Sequence, residues 1–265
     1  MDCFSDTYFR FIKGTLVILG MMLCSIPAFA EAPLITDDTG TQGKGKYQLE
    51  LDYGAGLPQV LPGHEIVATL TYGVVDNVDV SISLPYDWHT ATRNGLDLAA
   101  QKGISDVLIE VKWRLFESKP LGLSVALKPG LTLPDGIEEK GFGNGRISEG
   151  MMLLATEEWT HGALHCNVGY FHNAYNIEKD NDGFRHDLWH ASVAGELTIM
   201  KNLKAVADIG VDTNIENAAT INPVYLLGGL IYNVTENFDL DVGVKGGLNN
   251  AIPKSTFLTG LTARF

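Results

Sequence analysis

Between Phe238 and Gly246 the chain reads FDLDVGVKG, in which Phe238, Leu240, Val242 and Val244 alternate with Asp239, Asp241 and Lys245. Successive side chains of an extended strand point to opposite faces, so this stretch predicts a strand that is apolar on one face and charged on the other. The same period of two recurs along the chain. Tyr47, Leu49, Leu51 and Tyr53 alternate with Gln48, Glu50 and Asp52, and Val78, Val80, Ile82 and Leu84 with Asp79, Ser81 and Ser83. Val107, Ile109, Val111, Trp113 and Leu115 oppose Asp106, Glu110, Lys112 and Arg114; Leu123, Val125 and Leu127 oppose Lys128; Leu203, Ala205, Ala207 and Ile209 oppose Lys204 and Asp208. Two segments, 148 to 159 and 222 to 233, are apolar on both faces, which leaves their register open.

Connector lengths order these strands. Short connectors near 75–77, 117–120, 160–162, 200–202 and 234–237 interleave with longer ones near 55–62, 88–102, 134–147, 174–185, 213–220 and 249–253, which makes twelve strands in an up-and-down meander. An even number of long antiparallel strands, with tight turns on one rim and long loops on the other, predicts an all-β transmembrane barrel whose apolar faces meet lipid and whose polar faces line a lumen. A soluble β-sandwich also alternates, but its strands run about five or six residues, and several here run ten or more. A soluble ligand-binding barrel would invert the faces, and parity alone does not distinguish it. The final strand, FLTGLTARF, ends on Phe265, which resembles the C-terminal assembly signal of Gram-negative outer-membrane proteins. Aromatic residues near strand ends, among them Tyr72, Tyr86, Trp88, Trp159, Tyr170, Trp189 and Tyr232, fit interfacial girdles.

The N-terminus adds a compartment. Arg10 and Lys13 precede an apolar run from Gly14 to Leu23 and then Ala28-Phe29-Ala30, the pattern of a cleaved secretory signal over residues 1–30. That run is too short to span a bilayer as a helix. Residues 31–45 then form a periplasmic leader and 46–265 the barrel. Cys3 and Cys24 leave with the signal, so Cys166 alone remains and no internal disulfide is expected. A net charge of −13 disfavours a nucleic-acid partner.

The leader and two later pieces carry a family resemblance. Thr36, Asp37 and Asp38, followed by Gly43, Gly45, Gln48 and Glu50, form a Thr-Asp-Asp and Gly-x-Gly-x-x-Gln-x-Glu opening, with Leu-Pro-Asp-Gly at 133–136 and Gly-Asn-Gly at 143–145 later. This pattern resembles the phenol-degradation (MetA-pathway) family of outer-membrane transporter-like barrels. The resemblance covers nearly the whole mature chain and implies transport of small, sometimes aromatic, compounds.

Candidate chemistry is sparse. His186 and His190 have the spacing of a zinc pair on a helix, but on a strand they lie about 13 Å apart, so neither a metal site nor a cofactor is expected. His165 shares a polar face with Asn167, where a lumenal cluster is open to it. His190 and Ser192 share a face, as nucleophilic catalysis requires, and the pair resembles the His-x-Ser of outer-membrane phospholipase A. That enzyme uses its lipid side; here Trp189, Ala191 and Val193 take that side and His190 and Ser192 point inward, so an outer-membrane lipid hydrolase is the weakest reading. The Gly-rich 141–146 precedes no helix and reads as a surface loop. Asp37 and Asp38 could bind a cation or plug the lumen, but the simpler expectation places them in a solvated periplasmic leader. Inward acids Asp79, Asp106, Glu110, Asp208, Asp239 and Asp241 nearly balance inward bases Lys112, Arg114, Lys128, Lys204, Lys245 and Arg264. Such a lining either pairs internally or selects solutes by charge. The chain therefore reads as a monomeric, non-enzymatic, porin-like outer-membrane barrel passing small solutes. Its partners are outer-membrane lipid and the barrel-assembly machinery with its periplasmic chaperones. The alternative is a structural or surface-interaction barrel.

Overall fold

The computed structural model describes residues 32–56, 63–89, 92–93, 96–97, 101–252 and 254–265. The signal segment lies outside them. Twelve long strands form the wall: β1 (Tyr47–Gly56), β2 (Gly63–Val75), β3 (Val78–His89), β7 (Val107–Ser118), β8 (Leu123–Leu133), β9 (Ser148–Trp159), β10 (Gly162–His172), β11 (Asp187–Met200), β12 (Leu203–Asp212), β13 (Val224–Thr235), β14 (Phe238–Gly247) and β15 (Thr256–Arg264). Each pairs antiparallel with its neighbours, and β15 pairs with β1, with Gln48 opposite Arg264 and Leu51 opposite Leu261, so the sheet closes. Closure satisfies every strand edge, as a lipid-embedded backbone requires. Between β3 and β7 lie three short strands that the sequence pattern does not separate from loop. These are the hairpin of β4 (Thr92–Arg93) with β5 (Leu96–Asp97), and β6 (Gln101–Ile104), which pairs with the end of β3.

Exposure alternates as predicted. Leu49, Leu51, Ile82, Leu84, Leu153, Val193, Leu230, Leu240 and Val242 are exposed on the outside, while Gln48, Glu50, Asp79, Asp208, Asp239 and Asp241 are buried. A soluble fold does not leave this many large apolar side chains open; hydrocarbon is the solvent that suits them. Aromatic clusters stand at both ends of the belt. Tyr47 packs against Tyr72 and Phe265 at the short-turn rim, with ring centroids 4.8 and 6.3 Å apart. Tyr170 meets Trp189 at 4.8 Å and Tyr86 meets Trp88 at 5.9 Å towards the long-loop rim.

The two ambiguous strands acquire a register. Met152 and Leu154 on β9, and Tyr225, Leu227 and Ile231 on β13, face inward and are buried. They are apolar on both faces because the lumen holds protein rather than water alone. If hydrocarbon surrounds the belt, Val242→Arg at mid-strand should cost about 2–4 kcal/mol in urea unfolding from bilayers. Asp241→Arg, one residue away on the lumenal face, should lack that lipid-transfer penalty, so its loss should not scale with bilayer thickness.

Candidate functional site: the lumen and its leader

The leader, expected in the periplasm, lies inside the barrel. Ala32, Leu34, Thr36, Asp37 and Thr39 are all buried. Leu34 packs among Ala194, Val206, Tyr225, Leu227, Ile231 and Leu258. The polar look of residues 36–42 misled the sequence reading, because these groups are satisfied by the wall instead of by water. Asp208 accepts the backbone N–H groups of Ile35 and Thr36 at 2.8 Å each and the Thr36 hydroxyl at 2.8 Å. Asp37 takes Lys112 Nζ at 2.8 Å and Lys128 Nζ at 3.0 Å, and Lys128 also holds Glu110 at 2.9 Å. With its amide oriented to pair donors with acceptors, Asn167 donates to the Asp37 carbonyl and accepts from its N–H.

The glycines of the family opening have a mechanical role. Gly43 and Gly45 have φ of 85° and 78°, a left-handed backbone that favours glycine. They turn the chain at the short-turn rim, where the Gly45 N–H donates to the Gly73 carbonyl at 2.7 Å. A Cβ at Gly73 would stand 1.9 Å from the Gly43 carbonyl oxygen, so β2 needs glycine at this contact for space and the leader needs it for its backbone angle. Gln48 accepts from Gln42 and from Arg264, both at 2.9 Å. Thr36, Asp37, Gly43, Gly45 and Gln48 thus converge on docking the leader, while Glu50 is buried on the same wall as Gln48.

The leader fills one side of the lumen and leaves the other open. A cavity of about 650 Å³ follows the wall of β1, β2, β3, β7 and β8. Lys46, Tyr47 and Arg264 line it at the short-turn rim, and Asp87, Ser105 and Asn144 line it at the opposite end. Its walls carry eight acids (Asp37, Asp38, Glu50, Glu65, Asp79, Asp87, Asp106, Glu110) and four bases (Lys46, Lys112, Lys128, Arg264). The expected balance of charge is therefore corrected. Lys204 pairs with Glu196 at 2.8 Å on the leader's side, and Arg114 sits at the rim against the Asp76 carbonyl and Glu117. Meanwhile Glu65, Asp87, Ser83, Ser105 and Thr132, absent from the predicted set, join the passage. The inward parity of Glu65, Ser83, Asp87 and Thr132 was the signal that could have found them; Ser105 lies between β6 and β7, where parity gives none.

The remaining predicted residues serve other ends. Asp239 pairs with Arg264 and Asn233. Asp106 accepts the N–H groups of Gly136 at 3.0 Å and Asn144 at 2.8 Å, pinning the long loop. Lys245 Nζ lies 6.0 Å above the Tyr225 ring. Phe265 is exposed at the rim beside Tyr47. His165 bonds Thr156 at 3.0 Å and approaches Glu196 at 3.6 Å. His190 Nδ1 contacts Asp212 at 2.6 Å and its Nε2 contacts Ser192 at 2.8 Å. Asp212 only accepts, so Nδ1 donates and Nε2 receives the Ser192 hydroxyl, a triad-like chain. Ser192 and His190 are only 5% and 8% exposed, and neither lines the passage. Asp212 was not in the predicted set, since the β11–β12 register that brings it opposite His190 is not written in either strand.

The family model described as "Putative MetA-pathway of phenol degradation" matches residues 36–265. The chain belongs to this family. No curated protein matches it. Among solved structures, an outer membrane channel from Pseudomonas putida F1 superposes with a TM-score of 0.71 at 10% identity, covering 86% of this chain and 98% of that one. The NanC porin gives 0.58 at 11% identity (81% and 98% covered), and the KdgM porin 0.55 at 10% (82% and 99%). At these identities the likeness shows the fold, and that fold is the outer-membrane barrel of the MetA-pathway family.

Burial alone would raise the Asp37 carboxyl, but Lys112 and Lys128 outweigh it and hold the group at about 2, against 3.8 for a free aspartate. A depressed pKa stabilises the docked leader above about pH 4, by on the order of 2 kcal/mol, and that support is lost as pH falls through 2. Pepsin digestion read by mass spectrometry should spare Leu34 at pH 4 and cut beside it near pH 2. Asp37→Asn should expose it already at pH 4.

Proposed function

We propose that the protein is a passive outer-membrane channel for small hydrophilic solutes, with a preference for cations. The observation that carries this is the acid-rich cavity whose lining reaches both rims beside the seated leader. Part of the charge is consumed by pairing: Asp37 with Lys112 and Lys128 where the leader borders the cavity, Glu196 with Lys204, Asp208 with the leader backbone. That network is structural. Over the cavity lining as a whole acids outnumber bases, and a low-dielectric tube with an excess of one sign of charge concentrates counter-ions. Asp79 lines this wall, its Oδ2 accepting the Gln42 N–H at 2.9 Å.

The family resemblance carries the expectation of aromatic solutes. The mid-barrel lining adds hydroxyls and carboxylates such as Thr69, Ser81, Ser83 and Glu65, which suit a solute that keeps its hydrogen bonds. Catalysis is no part of this reading, since Ser192 and His190 are buried and neither lines the passage. Its hydrogen bonds instead tie β11 to β12.

Purified protein in planar bilayers should give small conductance steps. Under a salt gradient the reversal potential should take the sign of cation permeation, and Asp79→Asn with Glu65→Gln should move it toward zero. Deleting residues 32–41 should raise the step size several-fold. Absence of steps above background would leave the surface-interaction barrel as the better reading.

A further inference from the structure

The connector between β8 and β9 carries Leu-Pro-Asp-Gly at 133–136 and Gly-Asn-Gly at 143–145, two pieces to which conduction alone assigns no task. Asn144, at the centre of the second piece, bonds to three different parts of the rim. Its N–H donates to Asp106 Oδ2 at 2.8 Å, its Nδ2 donates to Ser148 Oγ at 3.0 Å, and its carbonyl accepts the Asn176 N–H at 2.9 Å. These partners stand just before β7, at the start of β9 and in the β10–β11 connector. Each of them holds a second group as well. Asp106 Oδ1 accepts the Gly136 N–H at 3.0 Å, Ser148 Oγ accepts the Ala174 N–H at 3.2 Å, and Asn176 Nδ2 donates to Glu138 Oε1 at 2.7 Å.

The flanking glycines allow this. Gly143 and Gly145 have φ of 135° and 65°, and a Cβ would collide with the Asp106 carboxylate at the first and the Glu138 carboxylate at the second. Phe142 adds an apolar anchor: it is buried, with its ring over Gly103 of β6, where an added Cβ would stand 2.9 Å away. Gly143 and Asn144 also line the cavity at this rim, beside Asp87, Ser105, Asp106 and Asn173. The connector is thus a section of the entrance wall, and Asn144 is where its bonds converge.

We propose that Asn144 is the positioning residue of the outer entrance: it seats residues 134–147 against the wall and thereby sets the largest solute that reaches the cavity. Long connectors of outer-membrane barrels face the cell exterior, so this is the end that an incoming solute meets first. Without the three bonds the connector regains conformational freedom, and most of the space open to it lies outside the barrel, so the entrance widens. The inference deepens the channel reading and rests on it for the meaning of the cavity.

The test reads entry and seating separately, in intact cells. In a Cys166→Ser chain, Ser81→Cys places a thiol on the cavity wall at mid-barrel. Its labelling from outside is followed with a small methanethiosulfonate and with a bulky maleimide carried on polyethylene glycol. Asn144→Ala, and separately Ser148→Ala, which changes no group lining this cavity, should each raise the bulky reagent's rate several-fold and leave the small reagent's rate nearly as it was. The double variant should go no further than either single one, because both release the same seat. Trypsin added outside should cut faster after Lys140, exposed on the connector, in the same variants. Faster cutting with an unchanged or slower bulky rate would mean that the connector is freed without governing entry, and no change in either readout would mean that Asn144 seats nothing; both results overturn the proposal. Planar-bilayer currents keep the two readings apart. If the wild-type chain gives no steps while labelling of the Ser81→Cys thiol still depends on Asn144, the channel reading fails and the entrance assignment stands.

Discussion

A carboxylate drawn into a closed, lipid-jacketed cylinder must be met by a cation, by donors or by water, and the cost of leaving it unmet exceeds that of most single contacts. Asp37 is met by Lys112 and Lys128 together, with its backbone clasped by Asn167. That interaction decides where the leader lies, and the leader decides the shape of everything else in the lumen. Leu34 seals the side of β11 to β15, Thr36 engages Asp208, and the turn at Gly43 to Gly45 returns the chain to the rim. What is left uncovered on the β1 to β8 side is the passage.

The barrel was legible because lipid makes a simple demand on every strand: an apolar residue at every second position for ten or more residues. Phe238 to Val244 meets it, and so does Tyr47 to Tyr53; the turn lengths then supply the order of strands. The lumen was less legible. Alternation says that Asp79, Asp208 and Asp241 share the inside, but which of them meets a leader, a lysine or open space depends on the third dimension. Asp37 and Asp208 are 171 positions apart, and the bonds that link their neighbourhood cross the lumen. One hint was present and not used. Strands β9 and β13 carry Met152, Leu154, Tyr225, Leu227 and Ile231 on faces that a water-filled tube would keep polar. Apolar residues on both faces of a barrel strand mark a wall with something packed on it.

The same division of the lumen reconciles a rigid interior with a conducting one. A fully paired network would close the tube, and an empty tube of twelve strands would leave its inner charges to water. Here the leader pairs Asp37 with Lys112 and Lys128 where it borders the passage, and acids of β2 and β3 such as Glu65, Asp79 and Asp87 line the rest of it. The family opening, read as sequence, looks like a short polar prelude to the first strand. In the structure Thr36, Asp37, Gly43, Gly45 and Gln48 are the parts of one inserted plug.

The seating of the leader can be read directly in protein taken from the outer membrane. Gly229 on β13 sits at mid-lumen, where an added Cβ would stand 2.6 Å from Pro33 Cγ. In a chain with Cys166→Ser, the pair Pro33→Cys and Gly229→Cys should therefore oxidise to a disulfide in the periplasm, seen as the loss of two hydrogens from the intact mass. Two free thiols, both open to a water-soluble maleimide, would place the leader outside the barrel and contradict the account.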